Sequence, residues 1–432
     1  MTNTIRATLG RDAFEATKQW RLHVIASPDK LSCGRVVELG GGETCVGRSA
    51  GNGPRAVTID DQRLSRRHAT LHVDIQSEDI AVEDLQSSNG TWIRGKRVHR
   101  QPLRHGAVLR IGNTVAVVEH DLGRASAFIG SIPGIPGASE AARQLREQTT
   151  TLARSGVTIL VSGADGAGKG KLAREIHRQS GRTGTKVAVR MEDSAGDEAF
   201  DMLFGGGRHG NGLIEQSSGG TLILGRCDRM AESLQIAIRR LLGDPDRMYD
   251  YDVRIVALAE RSLMELADAG QFDLRLAELL SEHHIELQPL ALRKMDVVAL
   301  ADVVAPLGDN RYASTWGSAL DADAAEMLLH YAWPGNLEEL KTILTPLSRT
   351  MGADGCKVDD LPASLIRDVK DSLHGRSQGG LRKLTNNAPV RPSYTAVQLC
   401  HLLAVHGGVK EMAVALGYSQ TELIRMFREV DA

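Results

Sequence analysis

The segment Val161–Leu172 reads VSGADGAGKGKL, a glycine-rich turn that closes on a lysine. Gly163, Gly168 and Lys169 match the spacing GxxxxGK, with Gly166 as a further glycine inside the loop. Such a loop can cradle phosphates. Glycines let backbone N–H groups approach the anion, the following helix N-terminus adds its dipole, and Lys169 reaches between phosphates. Gly170 stands where a Ser or Thr would ligate magnesium. Further on, Gly219–Arg226 reads GGTLILGR, an apolar strand of the kind that presents acids to a metal at its tip. Here the tip is Gly225 and Arg226. Hydrolysis needs one acid to hold the metal and a second to polarise water. The pattern leaves ATP binding open and argues against efficient hydrolysis, so no catalytic residue and no metal ligand are assigned.

A second constellation lies upstream: VGRS at Val46–Ser49, LSRRHA at Leu64–Ala69 and SSNGTWIRG at Ser87–Gly95. Arg48 offers a forked cation suited to a phosphate, Ser65 a hydroxyl donor, and Asn89 an amide that can hold a peptide backbone. All three fall between expected strands, on loops, where binding residues concentrate.

These residues need elements to position them. From Trp20 to about His120, short alternating runs such as ATLHVDI, IAVEDL, AVLRIG and TVAVVEH predict strands at close spacing, hence an all-β sandwich over 20–120. GSIPGIPG, Gly130–Gly137, marks a linker assigned to 121–139. From about Glu140, helices alternate with the apolar strands VTILVSG, TLILG, VRIVALA and HHIELQPL, which predicts a parallel α/β sheet over 140–290. The glycine loop falls between VTILVSG and the helix KLAREIHRQ, the context its chemistry requires. A mostly helical unit follows over 291–366, a second linker over 367–392, and a compact helical tail over 393–432.

Composition sets the outer bounds. A chain of 432 residues exceeds one ordinary core, and 42% hydrophobic residues favour globular domains over disorder. The net charge of −2 says nothing about partners, because local patches decide. Cys33, Cys45, Cys227, Cys356 and Cys400 are scattered without metal-site spacing and read as free thiols in a reducing compartment. No signal peptide and no membrane span are expected, and the expected location is cytoplasmic.

The three upstream fragments, in this order, resemble the forkhead-associated (FHA) domain, a phosphothreonine-peptide reader. The resemblance implies that Arg48 and Ser65 hold the phosphate while Arg66 and Ser88 assist. Asn89 grips the peptide main chain, and Gly47, His68 and Gly90 shape the loops. Arg63, Arg67, Arg97, Arg100 and Arg104 then form a solvated basic rim that can steer an acidic phosphopeptide. Arg94 departs from the pattern, standing where the family often has Asn before Gly95. That change is expected to alter peptide preference and not the fold.

The central segment VTILVSGADGAGKGKLAREIHRQSGR resembles the AAA+ module of bacterial activators of sigma-54 RNA polymerase. The likeness continues through LFG (Leu203–Gly205), EQSSGGTLIL, YDVRIVALAERSL and WPGNLEEL (Trp333–Leu340), and implies a helical lid near the nucleotide. The departures are several. Gly225 and Arg226 replace the two acids. Asp273 and Leu279 hold the places of the trans-acting arginines, which Arg275 does not match, and Glu338 holds that of the lid arginine. GGRHGNG after LFG replaces a longer loop that touches the sigma factor, so sigma-54 contact is not expected. Asp228 lies two residues beyond the strand tip and is not assumed to substitute.

The tail, with LGYSQTELIRMF at Leu416–Phe427, resembles the Fis-type helix-turn-helix. That resemblance places Ser419 at the start of a reading helix, with Gln420, Thr421 and Arg425 near base edges and Arg428 on a phosphate. Glu422 and the few cations oppose strong contact. The reading is a phosphothreonine-responsive bacterial transcriptional regulator whose core assembles homo-oligomers without hydrolysis and whose tail holds DNA. Two alternatives stay open: an FHA adaptor in a Ser/Thr kinase pathway without DNA binding, and a working ATP-dependent sigma-54 activator.

Overall fold

The computed structural model describes residues 19–51, 55–121, 132, 134–192, 196–205, 211–244, 250–308 and 313–373. The expected helix-turn-helix, with Ser419, Gln420, Thr421, Arg425 and Arg428, lies outside the described residues, as do 206–210 of GGRHGNG.

Two sheets form the N-terminal sandwich. The first runs β2 (Val36–Leu39), β1 (Gln19–Ala26), β11 (Thr114–Asp121), β10 (Val108–Ile111), β7 (Thr91–Ile93) and β8 (Lys96–Val98). The second runs β4 (Ala56–Thr58), β3 (Gly42–Gly47), β5 (Ala69–Asp74), β6 (Asp79–Asp84) and β9 (Arg100–Leu103). Strand β6 alternates buried with exposed or partly exposed positions, as a one-faced strand should, and β5 does so from Leu71 onward. Strand β11 does not: Val115, Ala116, Val117 and Val118 are all buried. Ala116 and Val118 point into the sandwich with Leu22, Val24 and Leu109. Val115 and Val117, with Ile25, Ala26 and Val108, form a second apolar face on the outside of the sheet.

The central sheet orders as β13 (Lys186–Arg190), β14 (Thr221–Gly225), β15 (Arg254–Ala259), β12 (Ile159–Gly163) and β16 (His284–Leu287), with every pairing parallel. Its helices are α1 (Glu140–Ser155), α2 (Lys169–Gln179), α3 (Gly196–Phe204), α4 (Leu213–Gln216), α5 (Glu232–Leu242), α6 (Leu263–Asp268) and α7 (Leu274–Ser281). The lid contributes α8 (Val297–Val304), α9 (Trp316–Ala319), α10 (Ala322–His330), α11 (Asn336–Thr350) and α12 (Ala363–Leu373). Helix α12 runs past residue 366, where the sequence placed the second linker. Leu365 and Val369, one helical turn apart, are buried and carry it on to Leu373.

The sandwich is docked on the lid. Its outer apolar face joins one continuous core with Val297, Ala301, Trp316, Ala325 and Leu329. Polar contacts fix the register. Arg110 of β10 pairs with Asp323 and, at 3.3 Å, with Glu326 of α10. The Ser27 N–H donates to the Gly317 carbonyl at 3.1 Å. A side chain at Gly317 would lie 2.8 Å from the Ile25 carbonyl, so the close approach requires glycine. On the other flank, buried Glu119 accepts from His23 at 3.0 Å and from the Glu140 N–H of α1 at 2.7 Å. Burial opposes ionisation of Glu119, yet these donors hold its carboxyl below the usual range.

The segment expected as the first linker is packed where it is described. Ile132 and Ile135 are buried and bridge one another. Ser139 caps α1, and its own N–H donates to buried Asp296 at 3.0 Å. Between β7 and β8, Arg94 and Gly95 make a two-residue turn with φ of 51° and 69°. Both residues are left-handed, the signature of a type I′ turn that favours Asn-Gly, so Arg94 costs about 1 kcal/mol there.

The shared core makes a direct expectation. Val117→Asp would bury a charge between sandwich and lid, where unpaired charge costs at least ~3 kcal/mol. We expect the wild-type sandwich and lid to melt as one transition and the variant to melt in two, read by calorimetry. Two transitions already in the wild type would contradict a shared core.

Candidate functional site

Three loops meet at one end of the sandwich. The Arg48 N–H donates to the Ser65 carbonyl at 3.0 Å, and the Ser49 N–H to the Arg66 carbonyl at 2.9 Å. Gly47 is required at that crossing, since a Cβ there would lie 2.3 Å from the Arg66 oxygen. The Ser88 N–H donates to Ser65 Oγ at 3.2 Å, and Asn89 Nδ2 donates to the Arg63 carbonyl at 2.7 Å. The guanidinium of Arg48 donates to Gln62 at 2.9 Å and stays exposed, as do Arg66, Ser88 and Asn89. The structure thus gathers all five residues assigned to the phosphopeptide on one exposed rim.

His68 is fully buried beneath them. Its Nδ1 accepts from the Ser65 N–H at 3.1 Å, so the proton sits on Nε2, which donates to the Gly90 carbonyl at 3.1 Å. Burial keeps the ring below its ordinary pKa and neutral. Asp84 anchors the third loop through Ser87 Oγ at 2.6 Å and Thr91 Oγ1 at 2.7 Å. Arg97 is exposed on the rim and also braces this loop by donating to the Ser87 carbonyl at 3.1 Å. Gly90 leaves room for it, since a Cβ there would lie 2.4 Å from Arg97 Nε.

The second site lies at the carboxyl ends of the parallel strands, where open α/β sheets bind ligands. Gly163, Gly166 and Gly168 have φ of 147°, 72° and 104°, and Lys169 opens α2. Lys169 Nζ turns back onto its own loop and donates to the Gly163 and Ala164 carbonyls at 2.8 and 2.9 Å. Gly170 has open space around it.

The tip of β14 carries Arg226, whose guanidinium meets Glu260 at 2.6 Å, Glu192 at 3.2 Å and Asp165 at 3.3 Å. Glu192 follows β13, Glu260 follows β15, and Asp165 lies in the glycine loop after β12. Four neighbouring strand ends therefore contribute to one ion cluster. Burial raises the Glu260 carboxyl above its ordinary value despite nearby Lys169 and Arg226. Burial likewise lowers Lys169, against the pull of Glu260 and Asp165.

Sequence reasoning named Arg226 but missed Glu192, Glu260 and Asp165. The residue after each apolar strand was the available signal. Asp228 does not supply the missing acid: its carboxylate accepts from the Glu260 N–H at 3.2 Å and from Arg261 at 3.3 Å. Asp273 caps α7, Arg275 pairs with Glu278 at 2.9 Å, and Glu338 sits in the first turn of α11, where its charge acts on Lys171.

The lid closes on the glycine loop through Asn336. This buried side chain accepts from the Leu290 N–H and donates to the Asp165 carbonyl, both at 2.9 Å. The Leu337 N–H donates to the Gly166 carbonyl at 2.9 Å. Gly166 must be glycine here, since a Cβ would lie 2.2 Å from the Gly335 oxygen. Trp333, buried beside it, donates to the Leu328 carbonyl at 2.9 Å and fixes the turn.

The loop backbone fits a phosphate. The side chains do not fit a metal–triphosphate: the three carboxylates nearest the loop share Arg226, and Lys169 is bound to carbonyls.

Family models match this chain at three places: the FHA domain over 44–112, the Sigma-54 interaction domain over 135–286 and the AAA+ ATPase lid domain over 291–377. The chain is similar to the C4-dicarboxylate transport transcriptional regulatory protein DctD of Pseudomonas aeruginosa, at 29% identity over 66% of this chain and 62% of that protein. It is also similar to the response regulator protein FleR of the same organism, at 31% identity over 49% of each. It spans less than two thirds of either relative's length. A crystal structure of NtrX from Brucella abortus in complex with ADP aligns over 70% of each chain at 24% identity, with a TM-score of 0.46. The chain therefore carries an FHA domain, a sigma-54 interaction domain and an AAA+ lid, in that order along the sequence.

Proposed function

We propose that this chain is a phosphothreonine-responsive transcriptional regulator whose AAA+ core has given up ATP hydrolysis and serves assembly and signal relay. The observation that carries the reading is the Arg226 cluster. A cation occupies the strand end that would need two acids, and the three carboxylates around it are engaged in ion pairs with Arg226, two of them also with Arg229. Phosphoryl transfer depends on positioned charge, so a site whose acids are tied up in ion pairs has lost the main source of catalysis. The loop backbone can still hold a nucleotide phosphate, which makes ATP a ligand of the core and not its substrate.

Response to a phosphopeptide follows a continuous line of contacts. Asp61, in the loop that carries Ser65, accepts from the Arg63 N–H at 2.9 Å, the Asn113 N–H at 2.7 Å and Thr114 Oγ1 at 3.1 Å. Thr114 meets Ser27 at 3.0 Å, and the Ser27 N–H meets Gly317 of the lid. From the lid, Asn336 and Leu337 reach the glycine loop. A ligand that orders the Ser65 loop thus acts on elements that touch the core. The relative DctD is a transcriptional regulatory protein. By that likeness the tail over 393–432 holds DNA, oligomers raise its weak affinity by avidity, and the chain works in the cytoplasm. Sigma-54 contact is not part of this reading.

Two outcomes are expected. Purified full chain with ATP and magnesium releases no phosphate above background, and Lys169→Ala leaves that background unchanged. Steady release that Lys169→Ala abolishes would overturn the non-hydrolysing core. For the sandwich, a phosphothreonine peptide binds and its unphosphorylated form does not. Arg48→Ala weakens binding by about 1.5–3 kcal/mol, the range of a charge-assisted hydrogen bond, measured by calorimetry or anisotropy. Equal binding of both peptide forms would end the reader assignment.

A further inference from the structure

Two cations of the chain converge on the glycine loop. Lys169 Nζ donates to the Gly163 and Ala164 carbonyls and lies 4.0 Å from Glu260. The Arg226 guanidinium reaches the other oxygen of the same carboxylate at 2.6 Å and the Asp165 carboxylate at 3.3 Å. Arg226 keeps a left-handed backbone with φ of 55°, a conformation disfavoured for any residue with a Cβ. Its ion pairs hold it there.

Asp165 is the loop's own anion. Its Oδ1 accepts from the Gly166 N–H at 3.0 Å while its Oδ2 meets Arg226. This carboxylate thereby takes a loop N–H and a guanidinium, the two kinds of donor that a phosphate oxygen would use. Of the three acids around Arg226 it has the longest contact and the most exposed side chain, at 66% against 23% for Glu192 and 5% for Glu260. It can turn out to solvent, whereas Glu192 and Glu260 are enclosed.

A divalent cation finds no such opening. It needs carboxylate or hydroxyl oxygens. Glu192 and Glu260 are each paired with both Arg226 and Arg229, and Asp228 with Arg261. A guanidinium cannot lose its proton to make way for a metal, and Gly170 brings no hydroxyl.

We propose that the core takes a nucleoside di- or triphosphate free of magnesium. Its phosphate displaces the Asp165 carboxylate from the Gly166 N–H and from Arg226, and Arg226 with Lys169 supplies the charge that a metal would bring. The proposal rests on the reading of ATP as a ligand of the core, and adds the form of that ligand and the residues that exchange for it. A forked guanidinium suits phosphate oxygens. Magnesium then competes, because it withdraws free nucleotide into a complex whose metal meets Arg226.

The test is equilibrium binding of ATP and ADP to the full chain by titration calorimetry, once with EDTA and once with excess magnesium, at equal ionic strength. The wild type is expected to bind at least as tightly in EDTA as in magnesium. Arg226→Ala is expected to weaken metal-free binding roughly tenfold or more, the loss of a charge-assisted bond. The same variant frees the three acids, and is expected to bind more tightly with magnesium than without. Asp165→Asn keeps an acceptor for the Gly166 N–H but removes the competing charge, and is expected to tighten metal-free binding roughly two- to fivefold. Its side chain is exposed, so this arm does not depend on Arg226→Ala remaining folded. Binding that requires magnesium, or metal-free binding that the variants do not move in these directions, would overturn the proposal and leave ATP as a ligand of the core. No nucleotide binding by the wild type or by Asp165→Asn in either condition would overturn both.

Discussion

The sheet that carries β1, β10 and β11 is apolar on both faces, and the rest of the molecule is arranged by that fact. A sandwich needs one buried face per sheet, so a second one must find cover. Here the cover is the lid. Val115 and Val117 sit in the same core as Trp316 and Leu329. The lid in turn is pinned to the glycine loop by Asn336. Sandwich and nucleotide fold are therefore joined through the packed lid, and also directly where Glu119 meets the start of α1.

The same packing explains how polar groups are handled across the junction. Arg110, Glu119 and Asp296 are drawn into low-exposure surroundings, and each has partners from another part of the chain. Paired charges of this kind add little net stability, but they disfavour alternative registers, because a shifted interface would leave them unpaired. The Arg226 cluster follows the same rule inside the core. Three acids at neighbouring strand ends would repel one another, and the guanidinium of Arg226 pairs with all three while Arg229 pairs with Glu192 and Glu260.

Much of this was legible in the sequence, for physical reasons. Strands and helices followed from periodicity, and the glycine loop and the Arg48, Ser65 and Asn89 set are local motifs whose chemistry fixes their spacing. What sequence reading missed is mostly non-local. The run Val115–Val118 was read as part of an alternating strand, whereas it is buried on both faces, and no residue said what would cover the outer one. Glu192 and Glu260 meet Arg226 only because the strand order β13, β14, β15, β12 brings their ends together. Arg97 is a surface cation, but its bracing of the Ser87 loop depends on Gly90 leaving room for it. Helix α12 outran its expected end because its apolar spacing continues to Val369.

The account stands on a phosphopeptide signal crossing the lid to a core that does not hydrolyse ATP. Hydrogen exchange on the full chain, with a phosphothreonine peptide and with its unphosphorylated form, tests this most directly. The account predicts that only the phosphorylated peptide changes exchange, first in the loops around Arg48, Ser65 and Asn89, and also at Trp333–Leu337 and in the Gly163–Lys169 loop. A change confined to the sandwich loops, with the lid turn and the glycine loop unaltered, would contradict it.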